Sequence, residues 1–351
     1  MSEWRAVESL KTAFDKTKAL LIEPFDLILW LKLTVIVFLA GSIGSGFNSP
    51  GSGTSRIGDY GSTGGAMPGG LSDSLLITII IAIILLIFII VILFLLLRGI
   101  FSFVFVRALT TGDASIIGPM FDNFGKGLRL FLFLVLVSIV SILVSVIFIG
   151  MIIAGIFIAV EVGLSSFIST VIVALIAMAI LAVLAVYIVL MILLTIFTGY
   201  TIDFVVPYVY FKGMSIFGAW GVLWEQIGQN WKEFGLYTII RWIAGFTLNM
   251  VLGFILLPFI LVAIVLVAIA AMIAINVSET SIVLATIIGL LTAIGIIIMI
   301  VLSLLISMPV AVYFRYYSLD FLKSIDPSAV VYSGRFSPGP VETGYSGASA
   351  P

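Results

Sequence analysis

The sequence contains no cysteine and no histidine, and only 9% of its residues are charged. The absence of cysteine excludes disulfides, thiolate metal sites and cysteine nucleophiles. The absence of histidine removes the commonest metal ligand and the usual general base. No nucleophile–base pair or carboxylate pair stands at a suitable spacing, and the net charge of −1 gives no sign of a nucleic-acid partner. We therefore expect a protein that is not an enzyme, holds no metal or cofactor and binds no nucleic acid.

The sequence is rich in apolar residues. They make up 62% of the chain, and the mean hydropathy is +1.36. A soluble domain contains roughly 45–50% apolar and about 25% charged residues. The apolar runs are unbroken, whereas the strands of a membrane barrel would alternate apolar and polar residues. The composition predicts an all-α integral membrane protein in contact with the lipid bilayer.

About six apolar runs are candidates for transmembrane helices. They cover residues 25–39, 75–97, 130–160, 167–202, 234–277 and 282–312. The runs at 130–160 and 234–277 are long enough to contain extra re-entrant segments. Residues 41–72 form a Gly/Ser-rich outer loop, and residues 327–351 are too polar and too rich in Gly, Pro and Ser to order themselves.

An amphipathic helix is predicted shortly before the fifth run. The apolar residues at helical spacing on one face are Ile216, Trp220, Leu223, Trp224, Ile227, Trp231 and Phe234. Three tryptophans on one face, Trp220, Trp224 and Trp231, indicate a helix in the headgroup layer of the membrane. The alternative is a helix packed on a soluble domain, but the sequence offers no such domain.

The order of polar landmarks indicates an internal repeat. FVFVRALTTG at 103–112 resembles FVVPYVYFKG at 204–213, and FDNFGKGLRLF at 121–131 resembles WEQIGQNWKEF at 224–234. We predict a single membrane domain over residues 1–326, with three two-helix repeats at about 1–112, 113–213 and 214–326. An interfacial amphipathic helix would precede each repeat. Chance similarity between apolar segments is the alternative.

Basic residues predict the orientation. Of the 16 lysines and arginines, only Arg56 falls in a loop on the far side of the predicted spans. Cytoplasmic loops carry an excess of basic residues. We therefore expect a multi-pass protein of the cell membrane with both termini, including the tail at 327–351, in the cytoplasm.

Six ionisable residues near the span ends carry the only chemical suggestion in the sequence. The second helix of each repeat is too long for the bilayer, so we expect bends at Gly99, at Gly199 with Pro207, and at Pro309. Basic residues follow the bends and should converge in one vestibule. The candidate site for an anion or a lipid headgroup is Arg98, Arg107, Lys212, Arg241 and Arg315, with Asp203 as counter-ion. The alternative is that these residues anchor the spans at the membrane interface.

Two further segments carry a resemblance to known families. The sequences EPFDLILWLKL at 23–33 and VYFRYYSLDFL at 312–322 resemble uncharacterised archaeal multi-pass membrane proteins. More distantly, the chain is similar to the membrane domain that accompanies some glycerophosphodiester phosphodiesterases. No catalytic phosphodiesterase domain is present, so the resemblance does not imply that activity.

Two functions remain open at this point. The first is a lipid-binding or scaffold module that contacts anionic headgroups. The second is a transporter or channel for a small anion along the repeat axis. Transport requires polar residues deep in several spans, and the sequence offers few, which are Ser138, Ser141, Ser145, Thr195 and Asn249. The first function is therefore favoured, and protein partners remain undefined.

Overall fold

The computed structural model describes residues 4–23, 25–42, 73–162, 167–278 and 281–333, and in this part of the chain all regular secondary structure is helical. The helices in chain order are α1 (Arg5–Leu21), α2 (Leu27–Leu39), α3 (Asp73–Thr111), α4 (Ile117–Asp122), α5 (Phe124–Val162), α6 (Phe167–Tyr200), a π-helical turn (Thr201–Val205), α7 (Val206–Lys212), α8 (Ile216–Gln229), α9 (Trp231–Ser278) and α10 (Ile282–Ile325). The predicted Gly/Ser-rich loop lies mostly outside the described residues.

Five helices are long and apolar enough to cross a membrane, not the six that were predicted. The short one is α2, whose 13 residues span about 20 Å, less than the roughly 30 Å of the hydrocarbon core. Its two ends also meet the same part of α10. Trp30 lines a groove with Pro309 and Tyr313, and Gly41 lines a cavity with Arg315. Helix α2 therefore packs across α10, and it is shorter than the five helices that could cross a membrane.

The long helices contribute two different surfaces. At 48 residues, α9 is about 72 Å long, more than twice the thickness of the hydrocarbon core. We call the region where the ends of these helices pack together the packed end. It consists of residues 99–111 of α3, the π-helical turn with α7, residues 231–241 of α9, residues 307–325 of α10, and helices α1, α4 and α8. Both α5 and α9 are uninterrupted helices, so neither contains a re-entrant segment.

The rest of the long helices presents an apolar surface. Helices α5 and α6 form one antiparallel hairpin, and α9 and α10 form a second. Almost none of the most apolar stretch of any of the five helices is buried. Such a surface requires the acyl chains of a bilayer, because exposing it to water costs about 25 cal/mol per Å². The chain is a multi-pass membrane protein.

Aromatic residues form the centre of the packed end. Phe204, next to the π-helical turn's Asp203, contacts the rings of Phe234, Tyr237 and Phe321 at centroid distances of 5.5, 5.0 and 5.8 Å. These side chains come from α9, α10 and the π-helical turn, and all are buried. Each such ring pair contributes about 0.5–1.5 kcal/mol beyond its buried area. The aromatic cluster thus joins the two helical hairpins where they leave the apolar region.

The structure divides the predicted tryptophan face of the α8 region. Trp220 stacks on Phe197 of α6 with ring centroids 4.3 Å apart, so it belongs to the packed end. Trp224 and Trp231 are 70% and 65% exposed. The three tryptophans do not share one continuous helix, because α8 ends at Gln229 and Trp231 opens α9. Within α8 itself, Trp220 packs inward while Trp224 is exposed. A position of Trp220, Trp224 and Trp231 in the headgroup layer stays a prediction.

Helix α1 also departs from a simple interfacial helix. It packs against α9 and α10 through small and apolar residues, including Ala6, Ala13 and Leu20, while Phe14 points outward. The backbone amide of Ala6 donates to the Glu233 carboxylate over 3.3 Å. The first turns of α1 therefore lie beside the beginning of α9.

Residues 327–333, placed in the predicted polar tail, pack against the same end. Ala329 and Val330 are buried. The Tyr332 hydroxyl donates to Asp320 over 2.6 Å, and the Ser333 amide donates to the Thr110 carbonyl over 2.9 Å. The remaining tail residues, 334–351, lie outside the described part of the chain.

Glycines allow α3 and α5 to cross at very short distance. A Cβ atom on Gly127 would lie 2.5 Å from the Ile100 Cα, and one on Gly99 would lie 2.6 Å from the Gly127 carbonyl oxygen. Real Cβ atoms do not approach backbone atoms so closely. Gly99 was predicted to be a bend point. In the structure it allows the backbones of α3 and α5 to approach closely.

We expect Gly127→Ala to destabilise the protein by about 1–3 kcal/mol, the usual cost of forcing extra volume into a packed contact. Gly150→Ala on the same helix is the control, because nothing lies within 4 Å of its added Cβ. The control should be neutral or slightly stabilising, since alanine favours a helix by about 1 kcal/mol over glycine. Thermal unfolding of the purified chain measures both. Equal melting temperatures for the two variants would contradict the close crossing.

Candidate functional site

The candidate site is built around the carboxylate of Asp203. This residue lies in the π-helical turn between α6 and α7 and is buried. Predicted bend residues, Gly199 and Pro207, flank the turn. A π-helical insertion offsets the regular helix, and such insertions are frequent at functional sites. Here it places a carboxylate at the junction of α9 and α10.

Arg241 forms the closer ion pair with this carboxylate. Its Nη1 atom lies 2.9 Å from Asp203 Oδ2 and also donates to the Tyr237 hydroxyl over 3.0 Å. That hydroxyl in turn donates to Asp203 Oδ2 over 3.2 Å. Tyr237 and Arg241 stand four residues apart on α9, so they share one helix face. The triangle orients the Arg241 guanidinium, which also lies over the Phe314 ring at 5.7 Å.

Arg315 approaches from α10 on the other side of the carboxylate. Its Nη1 atom donates to the Ile202 carbonyl over 2.5 Å and lies 3.8 Å from Asp203 Oδ1. The side chain is only 5% exposed. Its Nε and Nη2 atoms are buried and have no hydrogen-bond partner among the described residues. Two donor groups of a charged guanidinium therefore remain available.

Arg98 completes the cluster from α3. Its side chain packs against Gly41, where an added Cβ would lie 3.0 Å from Arg98 Cδ and 3.2 Å from Nε. Gly41 has a φ of +63°, which also disfavours other residues. The Arg98 Nε atom is buried without a hydrogen-bond partner, and within the described ranges no carboxylate lies at ion-pair distance from Arg98.

These side chains line a small cavity with an imbalance of charge. Its volume is about 20 Å³, and its lining includes Ser42 as well as the three arginines and Asp203. A water molecule occupies about 10–15 Å³ on this measure, so the cavity admits one water or one ligand oxygen. The described lining residues include three guanidinium groups and one carboxylate, which leaves two positive charges uncompensated among them. Arginine presents donors in a planar fork that suits carboxylate and phosphate oxygens.

The other two predicted cations lie elsewhere. Arg107 pairs with Asp113 over 3.7 Å, and Lys212 pairs with Asp326 over 2.8 Å. Burial alone would raise the pKa of Asp326, but hydrogen bonds from Lys212 and Ser328 outweigh it and hold that pKa below its ordinary value. Of the basic residues predicted to follow the bends, Arg107, Lys212 and Arg315, only Arg315 joins the buried carboxylate among the described contacts. Arg107 pairs with Asp113 in the loop after its own helix, and Lys212 pairs with Asp326 at the end of α10.

Several residues of the site escaped the sequence analysis. Gly41 and Ser42 follow α2 and appeared only as the start of a Gly/Ser-rich stretch. Tyr237 could have been found, because its spacing of four from Arg241 places a hydroxyl beside the guanidinium on one helix face. The carbonyl of Ile202 left no signal in the sequence, since its availability depends on the π-helical geometry.

A family model matches residues 4–332, and its description is that of a family of unknown function, DUF7544. The chain belongs to this family. The match includes both segments that carried the resemblance to uncharacterised membrane proteins. No curated protein and no solved structure matches the chain. Nothing in these matches supports the more distant similarity to the membrane domain of glycerophosphodiester phosphodiesterases.

In this DUF7544 chain we expect Asp203→Asn to be strongly destabilising. Removing one partner of a buried ion pair costs about 3–5 kcal/mol, because the remaining charge is left uncompensated. Here the loss would leave the buried guanidinium groups of Arg241 and Arg315 without their carboxylate. The matched control is Asp113→Asn at the exposed pair with Arg107, which should cost about 0–1 kcal/mol. Unfolding midpoints of both variants measure the difference, and a similar small loss for each would show that Asp203 does not hold the site together.

Proposed function

We propose that the chain is a non-enzymatic, lipid-binding membrane protein whose arginine cluster binds the phosphate of an anionic headgroup. The observation that carries this proposal is that N–H groups of Arg98 and Arg315 around one cavity have no hydrogen-bond partner in the described part of the chain. Leaving a charged donor buried without a partner is costly. An anionic oxygen in the cavity would satisfy these donors and offset the excess positive charge.

The position of the cluster supports a headgroup as the source of that oxygen. The most apolar stretches of α3, α9 and α10 stop close to Arg98, Arg241 and Arg315. Phosphates of a bilayer lie at the same boundary, at the edge of the hydrocarbon core. Since the cavity admits one oxygen, the remainder of the headgroup would stay at its mouth.

The orientation and the repeats form part of the same proposal. We place the packed end in the cytoplasm of the cell, because nearly all basic residues lie at that end of the spans. Three related units, at about 1–112, 113–213 and 214–326, each contribute a long helix that ends in the packed end. In the second and third units, the long helix supplies Asp203 and Arg315.

The alternative, transport of a small anion along the repeat axis, receives less support. The deep hydroxyl and amide side chains bond mainly within their own helices. Ser138, Ser145, Thr195 and Asn249 each donate to the carbonyl four residues earlier, over 2.7–2.8 Å. Such bonds satisfy the polar groups locally, so these side chains do not define a shared polar pathway.

We expect Arg98→Gln and Arg315→Gln to weaken binding of phosphatidylglycerol at least about tenfold. A hydrogen bond to a charged group contributes about 1.5–3 kcal/mol, and a factor of ten corresponds to about 1.4 kcal/mol. Arg129→Gln is the control, since Arg129 is exposed and lies outside the cavity. Native mass spectrometry of the purified chain, titrated with phosphatidylglycerol or phosphatidylcholine, measures retention.

A parallel titration with inorganic phosphate separates a lipid site from a site for free phosphate. Preferential retention of phosphatidylglycerol, lost in both cluster variants and kept in the control, supports the proposal. Saturable binding of inorganic phosphate without lipid preference would assign the site to a soluble anion. Unchanged retention in all variants would return the arginines to the role of interface anchors.

A further inference from the structure

A second, larger concavity lies near the beginning of α2, whereas the arginine cavity lies just after the end of that helix. Its volume is about 710 Å³, within the range of about 300–1,000 Å³ typical of small-molecule sites. Four helices form its walls. The residues that line it include Phe14 and Leu21 from α1, Trp30 from α2, Ala244 from α9 and Tyr313 from α10. None of its lining residues also lines the arginine cavity.

The walls of this groove are mainly apolar, and apart from the Tyr313 hydroxyl and the Lys18 ammonium, the polar side chains in its lining hydrogen-bond within the protein. The Thr17 hydroxyl donates to the Ala13 carbonyl over 2.7 Å, and the Thr247 hydroxyl donates to its own helix in the same way. The Trp30 indole N–H donates to the Leu21 carbonyl over 2.8 Å. These bonds leave little for a polar ligand to pair with, and a polar ligand would lose its hydration on entry.

One charged side chain stands at the rim. Lys18 is half exposed and pairs with Glu23 over 2.6 Å. The exposed pair is near neutral as a whole, so it gives the groove no strong preference for the charge of a ligand. Recognition must therefore come from the apolar walls.

No other part of this chain suits the groove. The sequence outside the described residues consists mainly of 43–72 and 334–351, which are rich in Gly, Ser and Pro and contain only scattered apolar residues. Such segments cannot bury enough apolar surface to compensate for their ordering. The occupant must come from outside the chain and must be apolar.

The groove is continuous with the surface that faces the bilayer. Ile243 lines it, and the next residues on the same face of α9, Phe246 and Met250, are exposed apolar side chains in the direction of the span. Hydrocarbon chains are the most abundant apolar groups at that surface. They can enter from the side without crossing water.

We infer that this groove binds a hydrocarbon chain of a membrane lipid between α1 and the hairpin of α9 and α10. The inference goes beyond the headgroup site, because it requires neither the arginine cluster nor an anionic lipid. A bound chain would fill the space between α1 and the two spans and would help hold α1 against them. An apolar helix of a partner protein is the competing occupant, and the experiment separates the two.

The test fills the groove with a larger side chain. Ala244→Phe places a ring in the space between α1 and α9, and Ala174→Phe is the matched control on the exposed face of α6, away from the groove. Each purified full-length chain is analysed by native mass spectrometry after exchange into detergent with phosphatidylcholine. We expect one phosphatidylcholine per chain to be retained by the original chain and the control and to be lost from Ala244→Phe.

A second measurement places the lipid chain itself. In a chain whose only tryptophan is Trp30, the other five being phenylalanine, phosphatidylcholine brominated on its acyl chain should quench the fluorescence saturably. Ala244→Phe in that background should reduce quenching at least fivefold. Equal quenching and equal lipid retention with and without Ala244→Phe would overturn the inference. Retention of a stoichiometric protein in place of lipid would assign the groove to a partner helix and would overturn it as well.

One further variant separates this inference from the headgroup proposal. Arg98→Gln should leave retention of phosphatidylcholine unchanged, because Arg98 lies outside the groove. Loss of phosphatidylcholine on Arg98→Gln would contradict two independent sites. If Arg98→Gln abolishes the preference for phosphatidylglycerol and leaves retention of phosphatidylcholine unchanged, the inference about the groove still holds.

Discussion

The carboxylate of Asp203 is the only negative charge among the described residues that line the arginine cavity, and much of the packed end is arranged around it. It attracts Arg241 from α9 and Arg315 from α10, and Tyr237 fixes the orientation of the first of these. A buried charge is tolerated only when it is paired and hydrogen-bonded. The aromatic rings around Phe204 exclude water from the same region. The ion pairs and the aromatic packing therefore depend on each other.

The same arrangement explains why a structural role alone does not account for the cluster. One carboxylate would need only one arginine for neutrality, yet Arg241 and Arg315 both pair with it and Arg98 lines the same cavity. Arg98 and Arg315 retain donor atoms with no partner in the described chain. An external anion would resolve both the charge and the hydrogen bonding. The apolar groove beside α1 is a separate feature, where α1 meets the spans. On our proposals, the protein contacts lipid headgroups through the arginine cluster and lipid acyl chains through this groove.

The sequence predicted the class of the fold and part of the site, for physical reasons. Hydropathy alone predicted a helical membrane protein, because unbroken apolar runs have few other uses. It overcounted the spans, since the orientation of α2 depends on contacts with α10 that no local pattern encodes. The sequence analysis grouped Arg241 and Arg315 with Asp203 because they lie at a similar depth along the spans, and the structure brings these three side chains together. A similar depth could not distinguish them from Arg107 and Lys212, because ion pairing also depends on side-chain direction and on residues after the helices, such as Asp113 and Asp326.

The central claim is that an anionic oxygen occupies the cavity formed by the arginine cluster. The most direct measurement is an electron cryo-microscopy map of the full chain in nanodiscs that contain phosphatidylglycerol, compared with a map in phosphatidylcholine alone. The account predicts headgroup density within hydrogen-bonding distance of Arg98 and Arg315 in the first map, with weaker density in the second. Ordered arginine side chains with no density between them in either map would contradict it.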